Sequence, residues 1–385
     1  MFESVGIRKA AAIAAALLVL VGCRSDDRTG TAVASVGRLA QPGYSVRMPV
    51  PPAPMRVAPP QPLVAAIQAL GTQFDGKVGI AVQSVNQGWT VSHQGELKLP
   101  QQSVSKLWVA ITMLDLRDQG KLRLDDPVTV TKADLTLFHQ PIASLVDEDG
   151  FKTTVADLEH RAITSSDNTA NDRLLNYVGG PEAVRAMIAR KQLGSIRFGP
   201  GERLLQSATA GLTWQPRYSA SGAFQQARAA LSPTARAAAF NAYIADPMDG
   251  ASANAIADAL ARLVKGDLLS PSSTQWLLKT MSETRTGRAR LRATLPGGWT
   301  IAHKTGTGQD FGRRTAGFND VGILTAPDGR IYTVAVLIGD TSRPVRERQQ
   351  LIQSVAQAVI ADDNARSDMV VAQQPAILST LRAPN

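Results

Sequence analysis

Cysteine is nearly absent from this chain: there is one in 385 residues, Cys23. A framework of intrachain disulfides is thereby excluded. Histidine is scarce too, and the four present (His93, His139, His160, His303) lie far apart. With no His/Cys cluster at ligand spacing, the chain lacks the sequence pattern of a zinc site, and no metal is expected. Aromatic residues make up only 5%. That matters because the chain is basic, with 41 Lys and Arg against 32 Asp and Glu and a formal charge of +9. Nucleic-acid binders gather their basic residues into runs interleaved with aromatics. Here the basic residues are scattered, so no nucleic-acid partner is expected. A basic cleft would instead attract anionic, carboxylate-bearing molecules. The apolar run Ala10–Val21, which follows Arg8 and Lys9, has only twelve residues. It is too short to span a bilayer and suits the core of a signal peptide. No internal repeat is evident.

What is present is enough for a substantial fold. At 44% hydrophobic and 19% charged, the chain can bury a large core, as one big domain or two subdomains. The segment from Arg24 to about residue 60 carries Pro42, Pro49, Pro51, Pro52, Pro54, Pro59 and Pro60 and few bulky apolar residues. Such a composition cannot bury a core and reads as a semi-extended tether. Just before it, Leu20-Val21-Gly22-Cys23 resembles the bacterial lipoprotein signal, which is cut before a cysteine that then takes a lipid. The resemblance implies a signal peptide over 1–22, lipidation at Cys23 and a disordered tether over 23–60. Arg24 stands where that family places aspartate to hold lipoproteins at the inner membrane. A periplasm-facing chain anchored at the outer membrane is therefore expected.

Beyond the tether the pattern becomes regular. An apolar helix is predicted over Leu63–Leu70, followed by strands over Val78–Val82 and Trp89–Val91. A helix is predicted from Ser103 to Arg117, stopping at Gly120. Leu107, Trp108, Val109, Ile111, Met113, Leu114 and Leu116 make it apolar nearly all round, as a central buried helix must be. Mainly helical sequence continues to about residue 285. Strands return at Trp299–Lys304, Val321–Leu324 and Ile331–Ile338, and a closing helix is predicted over Val345–Ile360. Residues 363–385 read as a disordered tail. Strands at both ends with helices between imply one sheet built from distant segments, with an all-helical lobe inserted between them.

Three strings in this frame carry chemistry: Ser103-Val104-Ser105-Lys106, Ser166-Asp167-Asn168 and Lys304-Thr305-Gly306. Each exact tripeptide is expected roughly 0.05–0.1 times by chance in a chain of this length. Ser103 and Lys106, three apart at a helix start, share a face. A serine hydroxyl becomes a competent nucleophile once a neighbouring base takes its proton. Lysine serves as that base if burial or a second cation, here Lys304, lowers its pKa. The helix N-terminus also brings backbone N–H groups to the carbonyl under attack. Taken singly, each string has a plainer reading: a capped helix start, an N-cap turn in which Asp167 holds the backbone, and a solvated lysine at a strand edge. Gly306 lets a ligand approach the backbone closely.

In this order the strings resemble those of the serine β-lactamases and penicillin-binding enzymes, most closely class A β-lactamases. The resemblance covers about residues 62–362. It implies an α+β fold of the β-lactamase/transpeptidase type, an antiparallel sheet flanked by helices with an inserted all-helical subdomain. The catalytic domain would occupy 61–362, its sheet subdomain 61–100 and 285–362, its helical subdomain 101–284. The resemblance also implies roles. Ser103 would be acylated, Lys106 would act as base or relay, and Ser166 would protonate the departing lactam nitrogen. Asn168 would hold the substrate's side-chain amide, and Lys304 and Thr305 its carboxylate. Gly306 and Thr307 complete the binding edge, the backbone N–H groups of Ser103 and Thr307 forming the oxyanion hole. The family's deacylating glutamate, with leucine three residues on, matches Glu202-Arg203-Leu204-Leu205, and Glu202 follows Ser166 by 36 residues, the family's spacing. Glutamine, Gln206, replaces the asparagine that follows, and would still orient water. No cofactor is implied; the partner is a small β-lactam, and the chain is expected to be a monomer.

Departures are equally plain. Gly199-Pro200-Gly201 fills the stretch where the family carries an Asp and Arg that brace the loop. The 138 residues from Ser166 to Lys304 exceed the family's usual separation, with the surplus at about 207–249. This insertion is expected to add helices beside the active-site loop. Asn319-Asp320 stands where some relatives carry a carboxylate-binding arginine, and Arg313 or Arg314 is the expected source of that charge. Phe138 or His139 is expected to wall the cleft. His303 is expected to be a packed strand residue. Two further readings share the acylation machinery: a D-Ala-D-Ala peptidase or other peptidoglycan hydrolase, and an envelope module that is acylated without turnover.

Overall fold

The computed structural model of the chain describes residues 57–220 and 222–380. Cys23, the signal segment and most of the tether lie outside the described residues. Five strands form an antiparallel sheet: β1 (Lys77–Ser84), β2 (Thr90–His93), β3 (Thr300–Thr307), β4 (Phe318–Thr325) and β5 (Ile331–Asp340). Their order across the sheet is β2-β1-β5-β4-β3, so segments from the two ends of the fold meet at the β1–β5 pair. Each expected strand is present.

Alternation along the strands builds two cores from one sheet. Val78, Ile80 and Val82 of β1 join Val334, Val336 and Ile338 of β5 on one face. Against them pack Leu63 and Ile67 of α1 (Gln61–Gln73) and Ile352, Val355 and Val359 of the closing helix. Ala81, Val321, Ala335 and Leu337 point the other way, into the larger core around α2 (Lys106–Asp118). In α2 every residue from Lys106 to Asp115 is buried, as its all-round apolar pattern demands.

Helices α3 (Val155–Thr164), α4 (Asn168–Tyr177), α5 (Gly180–Lys191), α6 (Glu202–Thr209), α7 (Ala223–Ala230), α8 (Pro233–Ala245), α9 (Ala253–Lys265) and α10 (Pro271–Ser282) lie between β2 and β3, where the inserted lobe is expected. The lobe is not all-helical. Pro127–Val130 pairs with Phe151–Thr154 in a two-stranded ribbon that buries Val128 and Val130 by simple alternation. A second short pair, Leu99–Pro100 with Gly250–Ala251, ties the chain just before Ser103 to the end of the insertion. Residues 207–249, where the insertion is expected, hold α7 and α8, beside α6.

The chain's end also differs from expectation. The closing helix, α11, runs Val345–Thr380 rather than stopping near Ile360. Its continuation is anchored: Tyr332 donates its hydroxyl to Asp363 Oδ1 at 2.6 Å, and Arg330 Nε lies 3.1 Å from the same carboxylate oxygen. A buried aspartate on the helix thus meets partners on β5 and its turn that local sequence does not display.

Candidate active site

The segment before the nucleophile is held by buried polar contacts. Asp249, at the end of the insertion, accepts the backbone N–H of Gln102 at 2.7 Å and the Tyr243 hydroxyl at 2.8 Å. The Gln101 side chain donates to the carbonyls of Arg197 and Asp249 and accepts from Trp108 Nε1 at 2.6 Å. Gln102 takes φ 53°, a left-handed value that a glutamine adopts only where its surroundings impose it. A 3-10 turn, Gln102–Ser105, follows and runs into α2, so Ser103 sits on the turn rather than within the α-helix.

From α2 the Lys106 ammonium reaches three acceptors: Ser103 Oγ at 2.7 Å, Asn168 Oδ1 at 2.8 Å and Glu202 Oε1 at 2.6 Å. Every donor position of the lysine is thereby used. The Lys106–Glu202 ion pair is almost wholly buried, at 0% and 4% exposure. A buried pair of this kind contributes less by its attraction than its loss of one partner would cost. Burial alone would raise Glu202, but the charge and hydrogen bond of Lys106, the amide of Gln206 and the charge of Lys304 hold it below the usual carboxylate range.

Ser166 precedes α4 with φ 59°. Asp167 is the N-cap of α4, accepting from Ala170 N at 2.9 Å and from Ile142 N at 2.6 Å. It holds the turn. Asn168 donates its side-chain N–H to the Leu137 carbonyl at 2.8 Å and its backbone N–H to that of His139 at 2.9 Å. The Leu137–Ile142 loop is thus clamped onto the second motif. Both Phe138 and His139 line the cleft, with Phe138 edge-on to Phe224 of α7 at 5.3 Å.

Lys304 closes the site from β3. Its ammonium donates to Ser166 Oγ and to the Thr305 carbonyl, both at 2.9 Å. It is completely buried, and burial followed by the neighbouring charge of Lys106 lowers its pKa well below the ordinary lysine value. Gly306 has a structural reason beyond ligand approach. A Cβ there would stand 2.3 Å from the Gln101 carbonyl, so glycine lets β3 lie against the segment before the nucleophile.

Three features were missed at the sequence level. First, the arginine at the β3 edge of the cleft is Arg290. Its guanidinium, 8% exposed, donates to the carbonyls of Gly306 and Asn319 and to Thr307 Oγ1, and lies 3.8 Å over the Phe318 ring. Burial lowers its pKa to about 10, so it stays charged at neutral pH. Arg314 instead pairs with Asp340 on β5, and neither it nor Arg313 is among the residues lining the cleft. The charge comes from the Thr284–Arg290 segment, which runs alongside β3 in the same direction, Thr284 donating to the His303 carbonyl at 2.8 Å and Thr286 sharing a hydrogen bond of 2.7 Å with Thr305. Asn319 and Asp320 serve the sheet: Asn319 donates to the Pro100 and Gln101 carbonyls, and Asp320 pairs with fully buried His303 at 2.9 Å.

Second, the Glu202 loop is braced without the family's ion pair. Asp172 of α4 accepts the backbone N–H groups of Glu202 at 3.0 Å and Arg203 at 3.3 Å, capping α6. Burial, with the charge of Glu202, raises Asp172 to about 6. Arg185 of α5 donates to the Phe198 and Gly199 carbonyls, fixing the Gly-Pro-Gly stretch from behind.

Third, Gln206 belongs to a line of amides. Its Nε2 donates to Glu202 Oε2 and Gln102 Oε1, each at 3.1 Å, while its Oε1 accepts Gln309 Nε2 at 3.0 Å. Gln102 Nε2 passes the line on to the Tyr243 hydroxyl at 2.6 Å and so to Asp249. This sense of donation turns the N–H edge of Gln206 toward the carboxylate. A flipped amide would set oxygen against oxygen.

Ser103, Ser166, Asn168, Glu202, Thr305 and Thr307 line one cleft of about 510 Å³. The sequence profile of the beta-lactamase enzyme family matches residues 62–362. The extended-spectrum beta-lactamase PER-1 of Pseudomonas aeruginosa is 33% identical over 261 residues, 68% of this chain and 74% of that protein. Beta-lactamase VEB-1, also of Pseudomonas aeruginosa, is 25% identical over 284 residues, 73% of this chain and 84% of that one. The crystal structure of a beta-lactamase from Chitinophaga pinensis DSM 2588 superposes with a TM-score of 0.64 at 29% identity, covering 77% of this chain and 97% of that one. The chain belongs to the beta-lactamase enzyme family, on its class A serine branch.

Proposed function

We propose that this protein hydrolyses β-lactams through an acyl-enzyme on Ser103, with Glu202 activating the water that releases it. The observation that carries the reading is the three-way contact of Lys106 with Ser103, Asn168 and Glu202. As Ser103 Oγ attacks the lactam carbonyl, Lys106 gives a proton to Glu202 and takes the serine's proton in its place. Ser166, hydrogen-bonded to Lys304, delivers a proton to the ring nitrogen as the C–N bond breaks. The proton on Glu202 returns through Lys106 to replace the one that Ser166 gave up; Glu202, again a carboxylate, takes a proton from the water that attacks the ester carbonyl, and that proton passes to Ser103 Oγ as the ester bond breaks. The N–H groups of Ser103 and Thr307 stabilise the oxyanion in both halves. Asn168 binds the side-chain amide, while Lys304, Thr305 and Arg290 receive the ring carboxylate. Glu202 separates this reading from a peptidase or a non-turnover module, since neither of those needs a carboxylate against Lys106.

A chromogenic cephalosporin in large excess tests the cycle. Linear product formation over many equivalents is expected; a burst of one equivalent per chain, with no turnover after it, would sink the hydrolase reading and leave an acylated binder.

The same proposal places the enzyme in the periplasm as a monomer, held to the outer membrane by a lipid on Cys23 and reaching outward on the Pro-rich tether. The string Leu20-Val21-Gly22-Cys23 supports it. Labelled palmitate should enter the full chain in a bacterial host and be lost in Cys23→Ser; label retained by the variant would refute the anchor.

A further inference from the structure

The lining of the cleft divides by its hydrogen bonds. Arg290, Thr286, Thr305 and Thr307 form one group with Lys304. Gln206, Gln309 and Arg228 form the other, with Phe138 beside them. A β-lactam bound for attack by Ser103 extends in two directions from its carbonyl. Its ring carboxylate takes the cations of the first group, which leaves the second group to the acyl side chain.

Arg228 is the unusual member of that second group. It belongs to α7, within the insertion, and its half-buried guanidinium faces the cleft. Among the described residues its one side-chain hydrogen bond runs from Nη1 to Gln309 Oε1 at 3.2 Å. Arg290, at the other end of the cleft, is by contrast tied down by three hydrogen bonds, to the Gly306 and Asn319 carbonyls and to Thr307 Oγ1. Arg228 forms no ion pair among the described residues. Burial and the like charge of Arg236 both press against its charge, and exposed Asp310 is the opposing influence. The guanidinium also rests 6.0 Å over the Phe224 ring, which packs against Phe138 and Tyr218. A cation held in place by aromatics and lacking a carboxylate partner is preorganised for an anion.

We propose that Arg228 makes the acyl-side-chain end of the cleft an anion subsite, selecting β-lactams whose side chain carries a carboxylate. The inference rests on the lactamase reading above and adds its substrate class. Asp310 on the same wall opposes such a side chain, so the discrimination comes from direct contact with the guanidinium rather than from the net field.

The test compares kcat/KM for two penicillins identical except for a carboxylate on the acyl side chain. In the unaltered enzyme the ratio should favour the carboxylated compound, and Arg228→Gln should lower that ratio about tenfold, the scale of one charge-assisted hydrogen bond. Arg228→Lys should fall between them, and added salt should erode the preference in the unaltered enzyme but not in Arg228→Gln. An unchanged ratio in Arg228→Gln overturns the subsite. So does an equal loss on both penicillins, which would mean that Arg228 acts through Gln309 on the reaction centre. Hydrolysis of neither compound by the unaltered enzyme would instead overturn the lactamase reading, and the subsite with it.

Discussion

Glu202→Gln is expected to open one equivalent of β-lactam per chain and then stall, with the opened drug still esterified to Ser103. Acylation survives in part because Lys106 keeps Ser103 Oγ and Asn168 Oδ1 as partners and the glutamine carbonyl replaces one carboxylate oxygen. Deacylation does not survive. A neutral amide takes no proton from water, and loss of a positioned general base costs about 10²–10⁴ in rate. A thousandfold loss corresponds to about 4 kcal/mol of transition-state stabilisation. Intact-protein mass spectrometry after mixing should show the chain shifted by the whole mass of the drug, persisting for minutes to hours. The adduct should vanish in the Glu202→Gln/Ser103→Ala double variant. If Glu202→Gln turns over at the original rate, Glu202 is dispensable and another group activates the deacylating water.

The chemistry was legible in the sequence to the extent that it is local. Ser103–Lys106, Ser166–Asn168 and Lys304–Gly306 each sit on one turn or strand edge, so a short string suffices to show them. Glu202 needed a spacing as well as a string. Asp172 carried a signal that could have been used: it lies four residues after Asn168 on α4, on the same face as the motif. Arg290 gave none, because its place in the cleft depends on how the Thr284–Arg290 segment lies along β3. Gln309 is two residues past Thr307, yet its meaning depends on the amide of Gln206 across a loop. The sheet was readable from alternation, whereas the short ribbon at Pro127–Val130 was lost among helical neighbours. The end of α11 was misjudged because its anchors, Tyr332 and Arg330, lie on the sheet side.

Lys106→Met should disable both halves of the cycle and move the pH profile in a direction that can be worked out beforehand. Methionine fills the volume but removes the cation that offsets Glu202's burial. In the unaltered enzyme burial raises the Glu202 pKa, and Lys106 is the largest of the influences that lower it again. With Lys106 gone, only the Gln206 amide and the more remote Lys304 oppose burial, so the pKa rises. The acid limb of hydrolysis then shifts upward by about 1–3 pH units, the usual effect of an adjacent opposite charge on a carboxylate. The rate at the plateau falls as well, by about 10²–10⁴, since Ser103 has lost the group that receives its proton. Stability changes its slope in step. A Glu202 held low adds stability that is present above the ordinary carboxylate pKa and lost as pH falls through the folded value. A Glu202 raised by burial does the reverse: the folded state holds a proton that the unfolded chain releases, so stability declines as pH rises from the ordinary value of 4.5 to the raised one. Breaking a buried pair also costs about 3–5 kcal/mol where the remaining charge stays ionised, and less at acid pH where Glu202 is protonated. Denaturation midpoints at acid and neutral pH, taken beside the pH–rate profile, measure both effects. An acid limb that stays in place in Lys106→Met would show that Lys106 does not set the ionisation of Glu202.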